Sequence, residues 1–293
     1  MPRPPEPPIT FRTLHESPLL AVRDYVCRME RGGPAAEEHS RGDHIVLMRH
    51  GAFCQHFGRR CVTADVNEAV FFAHGSSYRV SHPGDCGDRG TVLVPAPRVL
   101  HEMVRELDPE FADQARGAFP SVTGPCATAA FWRHRSLVER LEAGAPIDPL
   151  WADETALQLV ADLLGAAFAR HRWPRRPRRA DTRADHADRA EAARAYLAGH
   201  FRERVTLDQV AHAAHCSPFH LARVFQRHTG TPVHRYLTGL RLRAALERLA
   251  DAAPDLTTLA LELGFASHSH FSDAFRREFG RSPSAVRPRR HAN

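Results

Sequence analysis

The sequence predicts an α+β chain of two domains. In front stands a small antiparallel β-barrel or sandwich with flanking helices. Behind it lies an all-α domain of two helix-turn-helix units joined by a long helix. Three observations carry this. The 293 residues are enough for two cores. Near Pro97 the pattern changes from short apolar runs cut by turns to apolar residues at three- and four-residue spacing. The back half also repeats itself at an offset of about 50 residues.

Composition narrows the class. Hydrophobic content of 43% and charged content of 25% are those of a globular protein. No apolar run approaches the ~18 residues of a membrane span. The opening MPRPPEPPIT contains no apolar signal core, and the expectation is a cytoplasmic protein. All 40 basic residues are arginine, as a GC-rich coding background would produce, so arginine number alone is no functional signal. Its distribution is more telling. Residues 1–169 hold 17 arginines against 22 acids, net −5; residues 170–185 hold seven against two, net +5; residues 186–293 hold 16 against ten, net +6. An acidic front and a basic back point to a polyanion as partner of the back half.

Residues 1–10 are proline-rich and read as a disordered lead-in. The barrel segment covers about 10–96, with strand-like runs at His44–Met48, Ala69–Phe72, Tyr78–Val80 and Thr91–Val94, broken by Gly32-Gly33, Gly58, Gly75, Pro83-Gly84 and Gly87. Helices follow over 97–172. Val99, Leu100, Met103, Val104 and Leu107 mark one, and Leu137, Val138 and Leu141 another. The longest runs from about 148 to 170 with Leu150, Trp151, Leu157, Val160, Leu164 and Phe168 on one stripe. That stripe either packs on its own domain or makes a homodimer. The segment 173–185, with Trp173-Pro174-Arg175-Arg176-Pro177-Arg178-Arg179, reads as the interdomain linker.

Residues 186–293 form the second domain, with helix-turn-helix units at about 206–229 and 255–280. Val210-Ala211 matches Leu259-Ala260 at an offset of 49. Ser217, His220, Leu221, Phe225, Arg227 and Gly230 match Ser267, His270, Phe271, Phe275, Arg277 and Gly280 at an offset of 50. One residue is gained in the second turn. Thr206, Ser217, Asp255 and Ser267 stand where N-caps belong, Pro218 takes a first helical position, and Gly230 and Gly280 end the second helices. A helix over about 232–249 joins the units. At ~27 Å for ~18 residues it suits two recognition helices spaced by roughly one DNA turn.

The segment Thr206–Arg287 resembles the DNA-binding domain of the AraC/XylS family of bacterial transcription regulators. The run Ser217-Pro218-Phe219-His220-Leu221-Ala222-Arg223-Val224-Phe225 is similar to the family's first recognition helix. Leu240-Arg241-Leu242-Arg243-Ala245 resembles its linker helix. The spaced residues Ala260, Gly264, Phe265, Phe271, Phe275, Gly280, Pro283 and Arg287 resemble its C-terminal signature. The resemblance implies a regulator, expected to be an activator, whose partners are double-stranded promoter DNA and RNA polymerase. Resemblance and helical wheel agree that Pro218, Phe219, Ala222 and Arg223 face bases in the first unit, and His268, Ser269, Ser272 and Asp273 in the second. Arg223 suits bidentate reading of guanine, and Phe219 a thymine methyl. Asp273 departs from the basic or amide residue usual there. Ser217, Arg227, Arg241, Ser267, Arg276, Arg277 and Arg281 are candidates for phosphate contact.

For the front domain, residues 1–172, the resemblance implies a cupin-like barrel that senses a small-molecule effector or dimerises. His44-x-Val46 with Gly51-x-Phe53, and Phe71-Phe72 with Tyr78-Arg79-Val80-Ser81-His82-Pro83, are similar to the barrel segment of members of the family. They identify no effector-binding residue. A cupin enzyme needs an H-x-H pair on a strand, and none occurs there, so no catalytic residue, metal or cofactor is assigned. The alternative is a cupin-type enzyme, or a metal- or thiol-dependent sensor drawing on His44, His50, His56, His74 and His82 around Cys54, Cys61 or Cys86. None of the six cysteines lies in a C-x2-4-C pair, and disulfides are not expected.

Overall fold

The chain divides into two compact units, Met1–Pro177 and Arg178–Asn293. The computed structural model describes residues 8–29, 31–58, 60–84, 87–114, 117–143, 147–172, 180–251 and 255–286. Residues 1–7, Cys86, the arginine- and proline-rich run 173–179 and Arg287 lie outside the described residues, as does the side chain of Phe219.

The first unit mixes strands and helices. In chain order these are β1 (Ile9–Glu16), β2 (Leu20–Cys27), β3 (Glu38–His39), β4 (His44–His50), β5 (Phe53–Phe57), β6 (Arg60–Ala64), β7 (Glu68–Phe72), β8 (Ser77–Ser81), β9 (Asp88–Pro95), α1 (Pro97–Leu107), α2 (Pro109–Asp113), β10 (Thr123–Pro125), α3 (Thr128–Glu142) and α4 (Pro149–Arg172). The strands pair antiparallel in two sheets, one in the order β1-β2-β9-β4-β7-β10 and one in the order β3-β8-β5-β6. Neither sheet closes on itself among the described residues, which departs from the closed barrel. At one edge, β10 pairs only with β7 and is covered by α4, which comes so close that a Cβ on Gly124 would meet that of Ala167 at 2.9 Å. A strand roofed by a helix has no need of a further strand to cover it. Side chains from both sheets line one cavity of about 130 Å³, among them Tyr25, Val46 and Val92 from the larger and Phe53, Tyr78 and Val80 from the smaller.

The long helix α4 packs on β2, β9, β10, α1 and α3. Ala152, Ala156, Leu159, Val160, Leu163, Leu164, Ala167 and Phe168 are all buried there. Of the apolar stripe read from the sequence, Val160, Leu164 and Phe168 are buried inside the unit, Trp151 and Leu157 are half-buried, and Leu150 is largely exposed. A buried polar cluster ties α3 to the larger sheet. Asp24 accepts from Arg49 at 2.7 Å and from Arg89 at 3.1 Å, and Arg89 also donates to Glu142 at 2.8 Å, the last residue of α3.

The second unit is all-helical among its described residues: α5 (Ala180–His200), α6 (Leu207–Ala213), α7 (Pro218–Thr229), α8 (Val233–Asp251), α9 (Leu256–Glu262), α10 (His268–Phe279) and α11 (Pro283–Val286). α5 begins at Ala180, inside the stretch read as linker. It carries Arg194, which is fully buried. The Arg194 Nε donates to the Tyr236 hydroxyl at 2.8 Å, and its Nη1 donates to both oxygens of Glu191 at 2.9 and 3.0 Å. His228 reaches the same carboxylate at 2.7 Å. One buried guanidinium thus joins α5, α7 and α8, and each charge in the cluster has a partner.

One histidine of the first unit makes its stability depend on pH. Burial, and then the charges of Arg49 and Arg135, push the His134 pKa down to about 3. The unfolded chain takes up that proton near the usual value of ~6.5. Below that value the unfolded state binds more protons than the native one, so stability falls as pH drops from ~6.5 toward ~3. His82, whose pKa is raised to about 9 chiefly by its bond to Asp88, contributes stability already complete below ~6.5 and constant in that window. Urea midpoints of the wild type should decline between about pH 7 and pH 4.5 more steeply than those of His134→Gln. Equal slopes would show that His134 carries no such linkage.

Candidate nucleic-acid interface

The two helix-turn-helix units are built by the same local chemistry. α6 opens on a capping box: Thr206 Oγ1 accepts from the Gln209 N–H at 3.3 Å, and Gln209 Oε1 accepts from the Thr206 N–H at 2.8 Å. α9 opens on Asp255, which accepts from the Thr258 N–H at 2.8 Å. Ser217 Oγ accepts from the His220 N–H at 3.3 Å at the head of α7, and Ser267 Oγ accepts from the His270 N–H at 3.1 Å at the head of α10. Gly230 and Gly280 close those helices with matching bonds to Gln226 and Arg276.

The turns show where the repeat changes step. Cys216 N–H donates to Ala211 O at 3.0 Å, and Phe265 N–H to Ala260 O at 2.9 Å, an offset of 49. Leu221 N–H donates to Ser217 O, and Phe271 N–H to Ser267 O, an offset of 50. The extra residue is Ala266, between the turn and the cap. Both turns need a left-handed residue. The second uses Gly264 at φ 78°, and the first uses His215 at φ 50°. Glycine is required in the second, because a Cβ on Gly264 would meet Arg202 O and Arg241 Nη2, both at 2.8 Å.

Between the units, α8 has 19 residues, ~28 Å at about 1.5 Å each. Tyr236, Leu240, Leu242, Ala245, Leu246 and Leu249 are buried around it. Arg248 pairs with Glu262, tying α8 to α9. In α10 the rings of Phe271, Phe275 and Phe279 follow one another at 5.6 and 4.7 Å, an aromatic ladder that buries the inner face.

The opposite faces carry the residues singled out for DNA. On α7, Arg223 and Arg227 are exposed, while Pro218 and Ala222 are half-buried. His220 is half-buried and packs edge-on against His186 at 5.1 Å, beside the turn. On α10, His268, Ser269 and Asp273 are exposed, and the half-buried Ser272 hydroxyl lies 3.3 Å from His268 Nε2. Ser217 and Ser267 are exposed too, and their hydroxyl protons stay available after capping. Arg276, Arg277 and Arg281 are exposed. No ion pair of Asp273 with Arg276 or Arg277 occurs among the described residues.

Arg241 is different. Its Nε donates to Phe201 O and its Nη2 to Glu203 O, both at 2.7 Å, and its guanidinium sits 5.9 Å from the Phe265 ring centre. Burial lowers its pKa. The charge holds the chain after α5 against α8 and the second turn, a framework role in place of the phosphate contact read from sequence. Periodicity shows that Arg241 lies on α8; only the tertiary fold shows the carbonyls it meets.

In the first unit the histidines do not gather as the sensor reading required. His44 stacks on Phe72 at 4.6 Å, His56 meets Ser81 at 2.6 Å and His74 meets the Arg41 carbonyl at 3.1 Å. Among the described residues, His82 alone of these joins a cluster, with Cys27 and Asp88, neither of which the sequence reading selected. None of Cys27, Cys54, Cys61, Cys126 and Cys216 is in a disulfide.

Two capped, duplicated helix-turn-helix units on one shared rod define a tandem DNA-binding domain. Comparison with known proteins agrees. Residues 210–289 match the family described as helix-turn-helix domain. The HTH-type transcriptional activator RhaS of Escherichia fergusonii is 40% identical over 99 residues, covering 34% of this chain and 36% of that protein. The chain thus spans about a third of the length of the relatives it matches. The C-terminal domain of AraT from Geobacillus stearothermophilus is 26% identical, covering 36% of this chain and 91% of that one with a TM-score of 0.34. ToxT from Vibrio cholerae is 9% identical, covering 91% and 97% with a TM-score of 0.38. Residues 210–289 thus carry a helix-turn-helix domain similar to that of the RhaS activator.

The framework role of Arg241 is open to a direct check. Hydrogen bonds from a charged donor contribute about 1.5–3 kcal/mol each. Arg241→Met should destabilise the second unit by about that much or more in urea unfolding. Unchanged stability together with weakened DNA binding would return Arg241 to the phosphate contacts.

Proposed function

We propose that the chain is a sequence-specific regulator of transcription, an activator, that lays α7 and α10 into two successive major grooves of promoter DNA. The observation that carries this is the duplication: two recognition helices with the same caps, the same stop and the same inward face, separated by a rod of ~28 Å against a DNA turn of roughly 34 Å. Arg223 reads guanine in the first groove. In the second, His268, Ser269 and Ser272 face the bases, and Asp273 accepts from a cytosine amino group. Arg227, Arg276, Arg277 and Arg281, with the hydroxyls of Ser217 and Ser267, hold phosphates and set the register.

The front domain, a cupin-like fold opened into two facing sheets, serves as the sensory part. Its cavity between the sheets suits a small-molecule effector, and RNA polymerase is the partner an activator must meet. The resemblance assigns no chemistry to the chain. Such a protein acts in the cytoplasm on the nucleoid, and a homodimer through α4 would use its exposed start around Leu150.

The test is selection of a preferred site from random DNA, followed by binding titrations. Arg223→Ala should cost about 1–3 kcal/mol, roughly 5- to 150-fold, and relax preference at one position. Arg277→Ala should weaken all sequences alike and reduce the salt slope by about one. An Arg223→Ala protein with unchanged affinity and preference would show that the recognition face is misassigned.

A further inference from the structure

Three buried side chains in the first unit point their donor atoms at one spot. Cys27 ends β2 and Asp88 begins β9, and the two are directly paired across those strands. Cross-strand partners share a face of the sheet, so thiol and carboxylate emerge side by side. His82 follows β8 of the other sheet, held there by a bridge to Gly32. Gly87 permits the approach: at φ 62°, any Cβ there would run into the Cys27 carbonyl. The three residues are 4%, 5% and 3% exposed.

The same ring nitrogen faces both partners. His82 Nε2 lies 3.4 Å from Cys27 Sγ and 2.8 Å from Asp88 Oδ2, and all three ligand atoms fall within 4.8 Å of one another. In a nucleophilic triad the base stands between its partners, one on each ring nitrogen. Here the three atoms converge instead. Ligands at ~2.3 Å (S), ~2.0 Å (N) and ~2.1 Å (O) around a tetrahedral ion are ~3.3–3.6 Å apart. The Cys27–His82 pair already stands at that spacing, the His82–Asp88 pair must widen by about half an ångström, and Cys27 and Asp88 lie within 4.8 Å. The three residues also line the cavity between the sheets, so a fourth position can face that cavity rather than protein.

We propose that Cys27, His82 and Asp88 form a binding site for a borderline divalent cation of the zinc class, with its fourth position open to the cavity. One sulfur, one imidazole and one carboxylate suit such an ion better than magnesium or calcium, which take oxygen ligands. The thiol and the His82 imidazole must both be deprotonated to bind, so loading releases acid. The ion clips β2, β9 and the segment after β8 together, stapling the two sheets on one side of the cavity. Whatever enters that cavity meets the open coordination position.

Full-length protein, reduced and stripped with a chelator, should be titrated with Co²⁺ and then with Zn²⁺. The expected result is saturation at one ion per chain, a thiolate-to-cobalt charge-transfer absorption, and a zinc X-ray absorption spectrum with a single sulfur at ~2.3 Å beside lighter ligands. Zinc should also raise the unfolding temperature. Cys27→Ala, shown folded by circular dichroism, should lose the absorption and the saturable binding. Should that variant not fold, His82→Gln takes its place and should lose stoichiometric binding. Absence of saturable binding, a site with no sulfur or with several, or a folded Cys27→Ala protein that keeps the absorption would each overturn the assignment.

Discussion

The second unit turns on one guanidinium. Arg241, in α8, donates to two carbonyls in the segment after α5 and sits against the turn of the second helix-turn-helix. Those carbonyls lie beyond the end of α5, where helix-terminal and loop groups lack intrahelical partners. A cation with several fixed donors answers that need better than a neutral side chain. The same contact leaves no room for a Cβ at Gly264, so the second turn is glycine where the first manages with His215. Arg194 does the matching work beside the first helix-turn-helix, through Tyr236 near the start of α8. The spacing of the two recognition helices thus rests on two arginines that touch no DNA in this account.

This separates the arginines by what surrounds them. The buried Arg194 and the half-buried Arg241 meet carboxylate, hydroxyl and carbonyl oxygens of the fold. Exposed ones, Arg223, Arg227, Arg276, Arg277 and Arg281, line the outer faces of α7 and α10 or the loop just beyond them. The net +6 of the whole sequence hides the acidic front domain, where Asp24 and Glu142 consume arginines of their own. Charge totals therefore say less than placement, and placement is a tertiary property.

Much of the second unit was legible because its signals are local. Ser217 followed by Pro218, Thr206 three residues before Gln209, and Gly280 after Phe279 each specify a helix end through bonds spanning a few residues. The one-residue step in the repeat also shows in sequence, and the backbone bonds locate it at Ala266. The first unit was less legible. Its strands announce themselves by alternation, but closure of a sheet depends on pairings between distant segments, and the larger sheet stops at β10 under α4. The Cys27–His82–Asp88 cluster was invisible for the same reason. It depends on the register of strands whose paired residues lie 61 positions apart, and a slip of one residue would turn the thiol away from the carboxylate. The stripe of α4 shows the converse: periodicity identified it, and only packing could say that Val160, Leu164 and Phe168 meet the same chain while Leu150 does not.

The central claim is that one chain reads two adjacent grooves with two unlike helices. Hydroxyl-radical footprinting of the full-length protein on its selected site tests it most directly. The account predicts two protected windows on one face of the duplex, centred roughly 10 base pairs apart, with different base preferences beneath each. A single window at saturating protein, or protection indifferent to sequence, would contradict it.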